Sequence, residues 1–118
     1  MALKDEVGRR GEDCAAEYLL QAGYTLLERN WRCDQGEIDL VAARDGDIVF
    51  VEVKTRSGTG FGHPFEAITV AKLARLRRLA GAWCRQSGLR ARHIRIDAIA
   101  VITRPGQEPE VEHLEGVF

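Results

Sequence analysis

Asp39, Glu52 and Lys54 are the residues of this 118-residue chain whose types and spacing could do chemistry. A Glu-x-Lys step on a strand puts an acid and a cation on one side, because successive strand side chains alternate. An aspartate on the neighbouring strand then meets that glutamate. Two carboxylates held face to face repel each other and are costly unless a cation lies between them. A hard divalent ion, Mg²⁺ or Mn²⁺, answers that need, since it takes oxygen from one or two carboxylates and completes its shell with water or phosphate oxygens. Lys54 adds a fixed positive charge beside it. Histidine and cysteine offer less: His63, His93 and His113 are scattered without helical ligand spacing, and Cys14, Cys33 and Cys84 contain no Cys-x-x-Cys pair and read as reduced structural thiols.

The positioning of these acids depends on a hairpin. Glu37 to Arg44 and Asp47 to Thr55 are apolar-rich runs separated by Asp45-Gly46, a pair that tolerates the two positive φ angles of a type I′ turn. Arg44 then lies opposite Asp47, and the same register carried outward sets Asp39 opposite Glu52 and Glu37 opposite Lys54. Val41 opposes Phe50 and Ala43 opposes Ile48 on that side, so the acids continue a row that begins in the core. Upstream, Asp5 to Ala22 has the three- and four-residue apolar spacing of an amphipathic helix, with Gly23 as its stop. Glu12 falls near the angular positions of Gly8, Ala16 and Leu19 at the edge of the apolar stripe, whereas Glu6, Asp13 and Glu17 point away. It is the helix acid best placed to join the cluster.

The remaining elements follow from local signals. Tyr24 to Arg32 reads as a strand and Cys33 to Gly36 as a turn. Arg56 to Pro64, with Gly58, Gly60 and Gly62, reads as a mobile loop whose spacing matches neither a dinucleotide motif nor a Walker motif. Thr69 is an N-cap for a second helix to about Ser87, which Gly88 ends. Arg92 to Ile102 alternates as a fourth strand, with Ile94, Ile96, Ala98, Ala100 and Ile102 on one face, and Pro105-Gly106 turns the chain into a short acidic edge strand around Val111. This order predicts an α/β fold, one domain spanning residues 1–118, with helices sandwiching a central mixed sheet. The apolar stretches fall far short of the roughly 20 residues of a membrane span, and the N-terminus lacks a basic region followed by an apolar run, so the expectation is a cytoplasmic protein without membrane contact.

Charge is divided unevenly. Residues 1–53 carry 6 basic and 12 acidic side chains, residues 54–104 carry 11 and 2, and residues 105–118 carry 4 acidic ones alone. The basic middle suits a polyanionic partner although the whole chain is nearly neutral. On the second helix Lys72 shares a face with Leu76, Leu79 and Trp83, while Arg75, Arg78 and Arg85 project from another. Arg32, Arg56, Lys72, Arg75 and Arg78 are the candidates for nucleic-acid contact. For the helix arginines a solvated face is the competing reading, and for Lys72 a side chain snorkelling from the core edge. Trp31 reads as a half-buried strand tryptophan and Asp97 as a structural partner. Glu37 either supports the metal site or simply pairs with Lys54.

The run Gly36-Glu37-Ile38-Asp39-Leu40-Val41-Ala42, followed by Val49-Phe50-Val51-Glu52-Val53-Lys54-Thr55-Arg56, resembles the bacterial YraN-type family. Gly11-Glu12, Gly23-Tyr24, Arg29-Asn30-Trp31-Arg32 and Glu66-Ala67 ahead of Lys72 match as well, so the resemblance covers nearly the whole chain. That family is similar to the PD-(D/E)XK nucleases, particularly the archaeal Holliday-junction resolvases. The resemblance implies a restriction-endonuclease-like sandwich of order helix-β-β-β-helix-β(-β). It implies Asp39 and Glu52 as ligands of Mg²⁺ or Mn²⁺, Lys54 as the residue that positions or activates water, and Glu12 as an auxiliary, water-mediated ligand. Ile38 stands where the motif has proline, a position that is not a ligand. The expected function is a metal-dependent endonuclease on DNA, branched DNA included, with a homodimer as one expected assembly. A nucleic-acid-binding module without turnover and a protein-interaction domain are the alternatives.

Overall fold

The computed structural model describes residues 3–58, 60 and 62–117, with side chains from residue 6 onward. The elements run α1 (Leu3–Gln21), β1 (Thr25–Cys33), β2 (Gly36–Arg44), β3 (Asp47–Ser57), a 3-10 turn (Pro64–Ala67), α2 (Val70–Ser87), β4 (His93–Thr103) and β5 (Glu110–Leu114). The five strands form one sheet in chain order, antiparallel throughout except for the parallel β3–β4 pair. A parallel neighbour requires a crossover, and α2 supplies it. This is the expected helix-β-β-β-helix-β-β order around a mixed sheet.

The Asp45-Gly46 turn has both residues at positive φ, 54° and 86°, and its register runs from Arg44↔Asp47 through Val41↔Phe50 to Leu40↔Val51, as the turn type dictates. Each helix covers one face. Ala15, Ala16 and Leu19 of α1 pack on Leu40, Ala42, Val49, Val51, Ile99 and Val101, while Leu76, Leu79, Ala80 and Trp83 of α2 pack on Trp31, Ile38, Val41, Ile48, Phe50 and Ile96. β4 therefore differs from the one-faced strand its alternation suggests: Ile96 and Ala98 through Ile102 are all buried, because an interior strand of a sheet covered by a helix on each face has no solvent face. The glycine-rich segment also begins later than expected, since β3 continues to Ser57; Thr59 and Phe61 lie outside the described residues. No helix among the described residues is long and apolar enough to cross a membrane.

α2 is capped at both ends as its sequence signals. The Thr69 hydroxyl accepts from the Lys72 N–H at 3.1 Å, and Gly88 closes the helix at φ 70°. Thr69→Ala should cost about 1 kcal/mol of stability, read as a shift in the urea midpoint at constant slope, while Thr69→Ser should cost almost nothing. Equal losses for both would remove the hydroxyl from the account.

Candidate metal centre

The β2–β3 ladder stops at Leu40↔Val51, and the next residue of β2 explains why. Asp39 turns its carboxylate across the gap, and its Oδ2 accepts the Val53 N–H at 2.8 Å. A side chain thus replaces the backbone partner that a continued ladder would have offered. Beyond this bridge the extrapolated facing pairs are not formed, which corrects the hairpin arithmetic at its outer end. Asp39 and Glu52 meet beyond the ladder. Glu37 does not face Lys54 but turns to its registered β1 partner Arg32, whose Nε lies 2.7 Å from its Oε2. Lys54 keeps to its own strand, with Nζ 3.1 Å from Glu52 Oε1.

Asp39, Glu52 and Glu37 line a cavity of about 220 Å³ together with Lys72, Arg75, Leu76 and Leu79 of α2. Burial, and next the Glu52 carboxylate, push Asp39 up to about 7, against the pull of the Val53 N–H; Glu12 and Glu37 add further negative charge. A half-buried acid pushed that far by desolvation and a neighbouring carboxylate is the environment that a divalent cation relieves. The donor set fits a hard ion, being carboxylate oxygen with a lysine alongside.

Glu12 stands at the edge of this arrangement. It is half-buried while Glu6, Asp13 and Glu17 are exposed, as its helical phase requires. Burial raises its carboxyl, Arg29 and the Asn30 side chain hold it down, and the charge of Glu37 opposes them. Glu12 does not line the cavity, and Glu12, Asp39 and Glu52 do not gather their oxygens as tightly as a fully assembled three-ligand cage. Among the described residues the trio that does, with ligand atoms all within 4.8 Å, is Asp97, His113 and Glu115.

That trio is already occupied by protein. Asp97 is fully buried; it takes Arg95 on both oxygens at 2.8 and 2.9 Å, the His113 Nε2 at 2.6 Å and the Gly116 N–H at 3.0 Å. Burial alone would raise the Asp97 carboxyl, but these hydrogen bonds hold it below the usual carboxylate range. His113 continues through Nδ1 to the Tyr18 hydroxyl at 3.1 Å, and Arg95 reaches the Tyr24 hydroxyl at 2.6 Å. The cluster ties β4, the C-terminal segment and α1 together. Asp97 is a structural partner, and the lone acid of an apolar strand was its signal in the sequence.

The cationic candidates divide. Lys72 and Arg75 both line the acidic cavity, so Arg75 does not project from a different face: residues 72, 75, 76 and 79 form a single three- and four-residue stripe. Lys72 Nζ also donates to the Ala67 carbonyl at 3.1 Å, which holds it over the start of α2. Arg32 and Arg75 share a shallower depression with Glu37 next to the first. Arg56 and Arg78 are exposed and enter neither. Trp31 is more buried than half, at 9% exposure in the α2 layer.

The sequence model of the uncharacterised protein family UPF0102 matches residues 11–101. A UPF0102 protein of Arthrobacter sp. (strain FB24) is 54% identical over 117 residues, covering 99% of each chain. The counterpart in Rhodococcus jostii is 46% identical over 118 residues, covering both chains fully. Among solved structures, Hjc of Archaeoglobus fulgidus, a Holliday junction resolvase, superposes with a TM-score of 0.47 at 16% identity, covering 88% of this chain and 74% of that one.

Proposed function

This chain belongs to the UPF0102 family, and we propose that it is a metal-dependent phosphodiesterase of the endonuclease type, acting on DNA and holding Mg²⁺ or Mn²⁺ between Asp39 and Glu52. The observation that carries this reading is the placement of the Asp39 carboxylate: half-buried, lining one cavity with Glu52 and with the cations Lys72 and Arg75, and pushed up to about 7 by burial first and Glu52 second. A structural acid would have found a cation of its own, as Asp97 did. When bound between the two carboxylates, a divalent ion supplies polarisation of a phosphate oxygen and an acidified water.

The rest falls to the chain's own side chains. Lys54, with a side chain 26% exposed and held by Glu52, presents an ammonium beside that carboxylate, where it orients the attacking water and offsets charge developing on the phosphate. Lys72 and Arg75 receive the phosphodiester backbone, Arg75 as a planar fork and Lys72 as a point charge. Glu12 acts through water from the α1 side, in keeping with its absence from the cavity lining. Arg32 extends the positive track along the hairpin when its pairing with Glu37 is exchanged for a phosphate.

Purified protein incubated with linear, single-stranded and four-way-junction DNA should cleave in Mg²⁺ or Mn²⁺ and not in EDTA, with Asp39→Ala lowering the rate by at least about 100-fold. Cleavage that persists in Asp39→Ala or in EDTA overturns the assignment. Absence of cleavage with retained, strongly salt-dependent DNA binding would replace it by the reading of a binding module.

A further inference from the structure

Asn30 lies at φ 51°, in the left-handed region that only asparagine, aspartate and glycine enter readily. Its neighbours place it opposite Asp39, since Arg29 pairs with Leu40 and Trp31 with Ile38. At this pair both strands turn over. Arg29 reaches the α1 side, with its Nη2 2.6 Å from Asp13 Oδ1, whereas Trp31 is buried under α2. Leu40 belongs to the α1 layer, whereas Ile38 belongs to the α2 layer. Residues two apart on a regular strand share a face, so β1 and β2 each break alternation at Asn30 and Asp39. The break coincides with the point where β2 leaves β3 and Asp39 takes the Val53 N–H instead. The Asn30 side chain, meanwhile, comes close enough to Glu12 to favour its ionised carboxylate.

We propose that Asn30 is the positioning residue of the acidic site: its left-handed backbone turns β1 and β2 over together, which releases Asp39 toward Val53 and the cavity, and its amide holds Glu12 beside the same acids. The inference rests on the metal-site reading given above and names the residue that assembles that site. Asparagine is the residue type that serves both purposes. Glycine would permit the backbone and lose the amide; glutamine would keep an amide and resist the backbone.

Two variants separate the halves of the proposal. Asn30→Gly preserves the left-handed conformation and deletes the amide, so its melting temperature in chelator should stay within about 3 °C of wild type. Its calorimetric Mn²⁺ dissociation constant should nevertheless weaken about tenfold, the scale on which partners of metal ligands act. Asn30→Ala opposes the left-handed backbone as well. In metal-free protein its Val53 amide should exchange with solvent at least about tenfold faster than in wild type or Asn30→Gly, because the strand break that presents Asp39 is disfavoured. Mn²⁺ binding by Asn30→Gly as tight as wild type overturns the amide role. Equal Val53 protection in all three proteins overturns the backbone role. A wild type that binds no Mn²⁺ while Val53 protection still follows the predicted order would sink the metal-site reading and with it the amide role, leaving Asn30 as the residue that presents Asp39. The two failures are therefore distinguishable.

Discussion

Asp39→Asn should make the metal-free protein more stable at pH 8 by about 3 kcal/mol while abolishing its Mn²⁺ binding. The sign follows from the direction of the shift. An unfolded aspartate titrates near 4, whereas burial first and Glu52 second push the folded Asp39 up to about 7. Between those two values the folded state holds the proton more tightly, so the contribution of Asp39 to stability is greatest below pH 4 and is lost as pH rises toward 7. Above pH 7 the full penalty of an ionised, half-buried, acid-flanked carboxylate remains. Asparagine never ionises, and its Oδ1 can still accept the Val53 N–H, so the variant escapes the penalty without losing the bridge. Urea titrations in EDTA at pH 4.5 and 8 should show a loss in wild type and almost none from this source in Asp39→Asn. Equal pH dependence in the two proteins would mean that Asp39 does not titrate in this window. The same protonation competes with metal, so wild-type Mn²⁺ affinity should climb with pH up to about 7 and flatten above it.

Gly11→Ala should destabilise the protein by about 2 kcal/mol, against the ordinary preference for alanine in a helix. A Cβ at Gly11 would fall on the Thr55 Oγ1 and come within 2.9 Å of both Thr55 Cβ and Cγ2. α1 cannot easily back away, because Ala15, Ala16 and Leu19 are 0%, 4% and 0% exposed against the sheet. Glu12 follows immediately, so the displacement should also weaken Mn²⁺ binding. Adding Thr55→Ala removes the hydroxyl and the methyl and should recover at least half of the lost stability. No recovery in the double variant would move the cause away from this contact.

How much of this was legible in the sequence can be followed residue by residue. Asp45-Gly46 announced a two-residue turn, and a turn of that length dictates register, which is why Arg44↔Asp47 through Leu40↔Val51 emerged as expected. Thr69 and Gly88 are local signals and marked the ends of α2 correctly. Helical phase alone separated Glu12 from the exposed acids of α1. The register lost its authority at Asp39, because a side chain that accepts a backbone N–H ends the ladder, and no periodicity encodes that event. The expected facing pair of Glu37 with Lys54 failed for the same reason, Glu37 pairing with Arg32 and Lys54 with Glu52 instead. Asn30 carried a weak signal, since asparagine tolerates positive φ in many contexts. The partners of Asp97 come from Arg95 two residues away, and from His113 and Gly116 well beyond it in the chain, a convergence that only the folded β4–β5 pair creates.

The way Asp97 gathers the end of the chain also bears on self-association. β4 is an eleven-residue strand buried from Ile96 to Ile102, and among the described residues one side of it is covered only by the five residues of β5 and the segment that Gly116 and Val117 anchor. If acid protonates Asp97, or if the His113 contact is lost, that cover is loosened before the two-helix sandwich need open. What is then uncovered is a long apolar strand with free N–H and C=O groups, the kind of edge onto which another chain can add. The buried Asp97 cluster thus guards against aggregation as well as holding the fold, and in acid the protein is expected to fail by strand addition before it fails by global unfolding.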